Sequence, residues 1–247
     1  MDDGRTTDNV RFLVSGDTAV VVEFGDRVDR ELSERVLALS AAVHEANVRG
    51  VVECVPTYRS LMVLHDPLAI SSADLIRRLE SLLHRSTKGG QGAKLWLIPA
   101  SYDEPHAPDL AEVADRTGLS QDEVIALHTS AVFHVYMLGF VPGFPYMGDL
   151  PASLVLPRRT DPRVKVPAGS IAIAAGQTAV YPVESPGGWH LIGATPIRLF
   201  DVRWPAPALL APGDKVRFTR VTKSEFDDIR SAVERDAYRV ACESWAA

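Results

Sequence analysis

Four basic side chains lie within eight residues of a chain whose formal net charge is −6. They are Arg158, Arg159, Arg163 and Lys165, and three prolines separate and flank them. Because proline fixes φ, this backbone is expected to be extended and to hold its side chains in fixed directions. Guanidinium groups bind carboxylate or phosphate through paired hydrogen bonds. The segment therefore predicts an anion site, although a basic loop that only aids solubility would look similar. The anion could be a substrate carboxylate, a phosphate or an acidic partner surface.

Polar side chains follow this basic segment along the chain. Ser170, Gln177, Tyr181 and Ser185 fall among short apolar stretches, and Gln177 and Tyr181 could donate hydrogen bonds to a carbonyl or a carboxylate. Within 170–174 the side chains alternate between two faces, so that a serine and two alanines share one face. Small residues there leave room for a ligand or, more commonly, for a neighbouring strand.

One tryptophan and two histidines could complete a pocket. Trp189 follows two glycines and could serve as a lid or a stacking surface, although a core tryptophan fits equally well. His134 and Tyr136 share one face of an apolar strand, which points them to a barrel interior or to a cleft. A lone interior histidine is more often hydrogen-bonded structure than a catalytic base. His190 is open to the same two interpretations.

Aromatic side chains cluster just before the basic segment. Phe140, Phe144, Tyr146 and Met147 alternate with glycines and prolines. Exposed aromatics of this kind suit a protein interface, where they are enriched at binding hot spots. We therefore predict that Phe140, Phe144 and Tyr146 contact a partner. The same side chains could instead fold inward and plug one end of the domain.

Familiar catalytic motifs are missing from the sequence. There is no G-x-S-x-G elbow, no H-E-x-x-H pair and no Walker A loop. Asp and Glu are plentiful, but the sequence pairs none of them. The residues by themselves therefore do not show an autonomous enzyme.

Hydrophobic patterning predicts two strand pairs, each followed by a helix, before residue 86. Asp29 is expected to cap the first helix, and Ser71 or Ser72 the second. This ββαββα order predicts an α+β fold with an antiparallel sheet backed by two helices. Three histidines here lack metal-ligand spacing and are expected to be surface or hydrogen-bonded side chains: His44, His65 and His84.

The stretch STKGGQG at 86–92 predicts a linker, with one domain over residues 1–88 and a second over residues 89–247. In the second, Asp109 begins a short helix, and a capping box at 120–123 opens another that ends near His128. An imidazole suits that end because it interacts favourably with the helix dipole. Short strands then dominate until a terminal helix, which predicts a barrel or a sandwich. The expected strands are 131–138, 170–174, 178–182, 190–193, 196–202 and 215–221.

Composition narrows the class of protein. Of the 247 residues, 46% are hydrophobic and 23% are charged, as in a globular protein with a sizeable core. The negative net charge argues against nucleic acid as a partner. No apolar run reaches the length of a membrane span, and the acidic N-terminus does not resemble a signal peptide. Cys54 and Cys242 stand far apart, so we expect reduced thiols in a cytoplasmic protein and no metal site.

Three sequence blocks resemble one known family. They are GFVPGFPYMGDL, PRRTDPRVKVPAGSIAIAAGQTAVYP and SPGGWHLIGATP, in this order and spacing. They resemble the KipI-type proteins, also called allophanate hydrolase subunit 1 or the B subunit of 5-oxoprolinase, which are related to half of the carboxyltransferase domain of urea carboxylase. The resemblance runs from about Val10 to about Val221. It implies a small ferredoxin-like α/β sandwich followed by a cyclophilin-like β-barrel.

The resemblance also implies an activity. The chain would work with a homologous second subunit, which resembles allophanate hydrolase subunit 2 or the 5-oxoprolinase C subunit, and with a third subunit. The hetero-oligomer would open 5-oxoproline to glutamate at the expense of ATP, through ATP-binding residues that the sequence does not identify. No metal or biotin site is predicted in this chain. The rival interpretation is a regulatory protein that inhibits a sensor histidine kinase. Prolyl isomerase activity is suggested by the fold alone, and fold does not imply function.

Residue types assign the roles in such an amide hydrolase. The predicted catalytic residues are Arg158, Arg163, Ser170 and Gln177, where the arginines hold a carboxylate or developing phosphate charge and Ser170 and Gln177 orient the carbonyl. The predicted substrate-binding residues are Arg159, Lys165, Tyr181, Ser185, Trp189 and His134.

Overall fold

The computed structural model describes residues 10–83 and 92–245 of the 247. Contacts divide the chain into two compact units, Met1–Gln91 and Gly92–Ala247. His84 and nearly all of the predicted linker lie outside the described residues. No helix in the described ranges is long and apolar enough to cross a membrane.

The first unit is a four-stranded antiparallel sheet with two helices, as predicted. The sheet order is β1-β2-β4-β3. Val20 and Val22 of the sheet and Leu39 and Leu75 of the helices belong to one buried core. The elements are β1 (Arg11–Ser15), β2 (Ala19–Glu23), α1 (Arg30–Glu45), β3 (Val51–Pro56), β4 (Ser60–His65) and α2 (Ser72–Leu83).

Local capping explains where these helices begin. The Asp29 carboxylate accepts hydrogen bonds from the backbone N–H groups of Glu31 and Leu32 at 2.9 and 3.3 Å. Ser71 Oγ accepts from the backbone N–H of Asp74 at 3.1 Å. These bonds satisfy N–H groups that have no partner inside a helix, so both predicted starts are confirmed.

The second unit carries the remaining elements around a larger sheet. Its helices are α3 (Leu110–Thr117), α4 (Gln121–Ser130) and α5 (Lys223–Glu234), with a 3₁₀ turn at Ala152–Leu154. Its strands are β5 (Lys94–Ala100), β6 (Phe133–Leu138), β7 (Pro145–Gly148), β8 (Arg163–Val166), β9 (Ser170–Ala174), β10 (Gln177–Val180), β11 (Ser185–Gly187), β12 (His190–Ala194), β13 (Lys215–Arg220) and β14 (Ala241–Ser244).

Eight strands form a mixed sheet in the order β12-β9-β10-β7-β6-β13-β5-β14. Among these described strands, β13 and β5 are the pair that runs parallel. An isolated bridge joins Ser101, just after β5, to Ala194 at the end of β12 through hydrogen bonds of 2.8 and 2.9 Å. A Cβ on Gly193 would lie 2.8 Å from the Ser101 carbonyl oxygen, so a glycine is needed for this approach. Two strands outside this sheet, β8 and β11, pair with each other.

One predicted strand, 196–202, does not form. Only Phe200 makes a bridge there, to Ala208. Pro205 and Pro207 lie in the returning segment and cannot donate ladder hydrogen bonds, which keeps the pairing short. Conversely, the basic segment includes strand β8 and the aromatic segment includes β7, which the patterning did not predict.

A buried polar chain fixes α4 to the sheet. His128, with no exposed surface, lies with Nδ1 2.8 Å from the Tyr102 hydroxyl and Nε2 3.0 Å from Thr178 Oγ1. Thr178 donates its own hydrogen to the Ala172 carbonyl, so His128 Nε2–H donates to Thr178 and Nδ1 accepts from Tyr102. Burial lowers the pKa of His128 to about 3, which keeps the ring neutral. This role goes beyond the predicted helix-end interaction.

Candidate functional site

Both faces of β9 are covered, and the two faces differ. Ile171 and Ile173 point into the main core of the unit. Ala172 and Ala174 point to the opposite face, where they meet a second buried cluster. We call the four aromatic side chains that surround this cluster the aromatic layer: Phe144, Tyr146, Tyr181 and Trp189.

The aromatic layer packs edge to face around Phe144. Its ring centroid lies 5.1 Å from that of Tyr181, 4.9 Å from that of Tyr146 and 6.3 Å from that of Trp189. Such tilted arrangements are the preferred geometry of aromatic pairs. The space that the small residues of β9 leave open is therefore filled by the chain's own aromatic side chains.

The polar candidates Ser170, Gln177 and Tyr181 share the face of the sheet that carries this layer. Gln177 lies opposite Ala174 in the ladder, and Tyr181 N–H donates to the Ser170 carbonyl at 2.9 Å. Ser170 and Tyr181 therefore lie at one end of the hairpin. Gln177 lies at the other end, about 13 Å away at the usual rise of a strand.

Tyr181 is enclosed by backbone as well as by rings. A Cβ on Gly187 would lie 2.7 Å from Tyr181 Cζ, so the ring is accommodated only by a glycine. Burial raises the pKa of Tyr181, and Tyr146 raises it further, while the charges of Arg158 and Arg163 act in the opposite sense. The phenol is therefore a neutral hydrogen-bond donor with two guanidinium groups in its vicinity.

Arg158 is the cation that covers the aromatic layer. Its side chain is exposed, and its guanidinium carbon lies 5.9 Å from the centre of the Trp189 ring. That distance is within the range of a cation–π contact. Among the residues that the structure describes, Arg158 has no acidic partner within 4 Å.

The other two arginines of the basic segment are held by acids of α3 and its N-cap. Arg163 Nη2 donates to Asp109 Oδ1 at 2.6 Å, and Arg159 Nη1 lies 3.3 Å from the same oxygen. Arg159 also donates to Glu112 Oε2 at 2.9 Å. Burial raises the pKa of Glu112, but hydrogen bonds from Arg159 and Arg116 outweigh it, so that the pKa is lowered overall.

Asp109 is itself anchored to the sheet. It is 3% exposed, its Oδ2 accepts from the Leu191 N–H at 2.7 Å, and its own N–H donates to the Leu191 carbonyl at 3.0 Å. A buried carboxylate is stable only when it is paired and hydrogen-bonded, and here both conditions are met. Asp109 thus ties the basic segment to β12.

Lys165 and Ser185 occupy different environments. Lys165 Nζ lies 3.1 Å from Glu184, and both side chains are exposed. Ser185 is buried, and its Oγ has no hydrogen-bond partner within the described ranges. The same holds for Arg159 Nε, Arg163 Nη1 and His190 Nδ1. Buried polar atoms normally have hydrogen-bond partners. These four atoms near β8 and β11 could therefore each form a further hydrogen bond.

The candidate histidines lie in two separate places. His190 Nε2 is 3.0 Å from the Pro157 carbonyl, so this nitrogen carries a hydrogen and donates it, while Nδ1 lies 3.9 Å from Glu112 Oε1. His134 is 1% exposed and lies outside the aromatic layer, with Nδ1 2.6 Å from Nζ of the buried Lys215 and its ring 4.5 Å from that of Tyr136.

The aromatic segment divides its side chains between inside and outside. Phe144 is 2% exposed within the layer, whereas Phe140 is 62% exposed. Phe140 also has φ = 67°, a left-handed conformation that is unusual for a bulky residue. The strained backbone exposes the Phe140 ring to solvent, while Phe144 is packed within the aromatic layer.

No group of three or more His, Cys, Asp or Glu side chains in the described part of the chain is arranged to hold a metal ion. Cys54 and Cys242 are free thiols. The side chains gathered at this site carry guanidinium, carboxylate, phenol, hydroxyl, amide and imidazole groups.

Residues 10–210 match the family of the carboxyltransferase domain, subdomain C and D. The chain belongs to this family. Two curated relatives are named as the B subunit of 5-oxoprolinase. The Bacillus subtilis protein is 38% identical over 88% of this chain and 96% of its own length, and the Escherichia coli O157:H7 protein is 41% identical over 84% and 94%. The predicted family is confirmed, and the chain is homologous to the 5-oxoprolinase B subunit.

Two solved structures share this fold. TTHA0988 is 39% identical with a TM-score of 0.74, and the match covers 83% of this chain and 40% of that one. The present chain thus spans about two fifths of that protein. The Kluyveromyces lactis urea amidolyase, 22% identical, has a TM-score of 0.79 over 96% of this chain and 16% of its own, which shows a shared fold.

The sequence did not indicate the two carboxylates that hold the basic segment. Asp109 was predicted only to begin a helix, and Glu112 was not singled out. They stand three positions apart, as residues on one helix face do, but this spacing is too common to point to Arg159 and Arg163. The partners are about 50 residues away in sequence, and only the fold brings them together.

Proposed function

We propose that this chain is one subunit of an ATP-dependent 5-oxoprolinase. The assembly would hydrolyse the lactam of 5-oxoproline to glutamate while ATP is converted to ADP and phosphate. The support is the 38–41% identity to two 5-oxoprolinase B subunits over nearly their whole length. Their name designates one subunit of several, so we propose a homologous second subunit and a third as partners.

The observation that carries the chemistry is the difference between Arg158 and its neighbours. Arg159 and Arg163 are neutralised by Asp109 and Glu112, while Arg158 is exposed beside Trp189. We propose that Arg158 binds the carboxylate of 5-oxoproline at the outer edge of the aromatic layer, since Trp189 itself is 5% exposed and lies against this guanidinium. A guanidinium fork matches a carboxylate through two parallel hydrogen bonds.

Activation of the substrate carbonyl needs hydrogen-bond donors near the 5-oxoproline ring. Tyr181 is a neutral phenol within the aromatic layer, and Ser170 lies beside it at the same end of the hairpin. Gln177 lies at the opposite end of the same face. We propose that the donor to the substrate carbonyl comes from one of these two ends of the hairpin. Ser185 and Lys165 would line the edge of the site on the β8–β11 side.

In our proposal, this site is complete only when the second subunit is bound. Phe140 is exposed in a strained conformation next to the aromatic layer, as suits a side chain that inserts into a partner. The sequence contains no nucleotide-binding loop, so we assign ATP binding to the assembled complex rather than to this chain alone. An ATP-consuming assembly with free thiols is expected in the cytoplasm.

The finer fold assignments are also proposals. The bridge between Ser101 and Ala194 links both sides of the eight-stranded sheet, which supports a closed, cyclophilin-like barrel over residues 89–247. The first unit, over residues 1–88, has the order ββαββα. Moving its first strand to the end gives the βαββαβ order of ferredoxin-like folds, so we propose a permuted version of that sandwich.

Reconstitution tests the function. The chain would be co-expressed with its homologous second subunit and candidate third subunit, and glutamate release from 5-oxoproline would be measured with and without ATP. We expect turnover only with all subunits and ATP present. Allophanate in place of 5-oxoproline tests the other family label. A purified, stable assembly that turns over neither compound would reject the hydrolase assignment, and inhibition of a sensor histidine kinase would then become the better explanation.

A further inference from the structure

A cavity lies beside α5 and shares no lining residue with the aromatic layer. Its volume is about 470 Å³, within the range of small-molecule sites. Ile197, Leu209 and Val233 supply apolar walls, and Trp204 and Tyr238 supply two aromatic rings. The size and the mixture of aliphatic and aromatic surface suit a flat apolar body.

Guanidinium groups line the same cavity, and hydrogen bonds within the protein already fix the orientation of two of them. Arg198 donates to Asp201 Oδ2 at 2.8 Å. Arg203 binds Asp201 through Nε at 2.9 Å and through Nη2 at 2.6 Å. The side chain of Asp201 is 9% exposed, and its hydrogen bonds with Arg203 hold its pKa well below the usual range. Asp201 therefore stays ionised and keeps both arginines in place.

The charged side chains at the cavity leave an excess of positive charge. Asp236 lies 3.5 Å from Arg198 Nη1 and 3.9 Å from Arg203 Nη1, which are ion-pair distances without hydrogen bonds. Its side chain is 57% exposed. Arg239 also lines the cavity and has no acidic partner within 4 Å in the described part of the chain. Three guanidinium groups thus face two carboxylates, one of them loosely held.

We propose that this cavity binds a small-molecule carboxylate with a flat apolar body. The carboxylate competes with Asp236 for the guanidinium groups and neutralises Arg239, while the apolar body lies against Trp204 and Tyr238. Asp201 acts as the positioning residue for the arginines. This site is independent of the proposed hydrolase activity, because none of its residues belongs to the aromatic layer or the basic segment.

Calorimetric titration of the purified chain with 1-naphthoate and with its uncharged analogue 1-naphthamide tests the proposal. We expect 1-naphthoate to bind about tenfold more tightly, since the amide lacks the charge-assisted contact. Arg239→Gln should weaken 1-naphthoate binding about tenfold, and Asp236→Asn should tighten it severalfold by removing the competing carboxylate. Arg235→Gln, which removes an exposed arginine outside the cavity lining, should leave binding unchanged.

Several results would overturn this assignment. They are equal binding of acid and amide, no binding of 1-naphthoate at millimolar concentration, or identical affinities in the Arg239→Gln, Asp236→Asn and wild-type chains. A peptide with a free C-terminal carboxylate that binds far more tightly than 1-naphthoate would assign the cavity to a protein partner instead. None of these outcomes depends on turnover of 5-oxoproline.

Discussion

Arg163 Nη2 lies 2.6 Å from Oδ1 of Asp109, a carboxylate that is 3% exposed and bonded to the backbone of β12. This contact gives part of the basic segment a structural role, and we propose that the binding role falls to Arg158. Arg159 and Arg163 fix the segment to α3 and to the sheet. Arg158 is left exposed at Trp189, where it can meet an anion.

The first prediction concerns the Asp109 anchor. Asp109→Asn should lower the free energy of unfolding by about 2–3 kcal/mol, because it leaves two partly buried guanidinium groups without their carboxylate. Glu112→Gln is the matched control, and it should cost less than about 1 kcal/mol because that carboxylate is 44% exposed. Urea denaturation of both variants gives the comparison. Equal losses would contradict the anchoring role.

The second prediction concerns Arg158. In the reconstituted assembly, Arg158→Ala should reduce kcat/KM for 5-oxoproline by one to two decades while stability is unchanged, since about 1.5–3 kcal/mol of charge-assisted binding is lost. Arg158→Lys should be nearly as harmful if the fork geometry matters. Arg217→Ala, at an exposed position on β13, is the control. Full activity of Arg158→Ala would remove Arg158 from the site.

The same assay separates Arg163 from Arg158. Arg163→Ala should reduce activity together with thermal stability, because its partner is the buried Asp109. An Arg163→Ala variant that loses activity but melts like the wild type would instead return Arg163 to direct anion binding.

The third prediction is a pH dependence of stability from His128. Its pKa is lowered from 6.5 to about 3 by burial, so between these values the unfolded chain binds a proton that the folded chain does not. The contribution is therefore fully present above about pH 6.5. It is lost as the pH falls, at up to about 1.4 kcal/mol per pH unit.

His128→Gln isolates this contribution. The variant should unfold more easily at pH 7.5, since Tyr102 and Thr178 lose a shared partner, but its stability should fall less steeply between pH 6.5 and pH 5. Denaturant titrations at several pH values measure both slopes. Identical slopes would show that His128 does not titrate on unfolding.

The fourth prediction separates Phe140 from Phe144. Phe140→Asp should weaken association with the second subunit by about 2 kcal/mol or more and leave the fold intact, because the ring is exposed. Phe144→Asp should destabilise the chain by about 4 kcal/mol or more, because it buries a charge among aromatic rings. Light scattering of mixed subunits and melting of the isolated chain distinguish the two effects. Unchanged association of Phe140→Asp would place the interface elsewhere.

Local patterns in the sequence determined much of this protein. The helix starts at Asp29 and at Ser120 are encoded within four residues, as capping requires, and both form as predicted. Alternation along 170–174 placed Ser170 and the two alanines on one face. The three glycine- and proline-rich blocks were enough to identify the family.

Only the tertiary structure decided which charged and aromatic residues remain available. An ion pair between Asp109 and Arg163 spans 54 positions and leaves no periodic signal, so residue type alone made all four cations look alike. Phe140 and Phe144 are equally apolar and four positions apart, yet one is exposed and the other lies beneath Trp189 and Tyr181. Burial and pairing depend on what the rest of the chain brings to a side chain, and that is settled by packing rather than by neighbours in sequence.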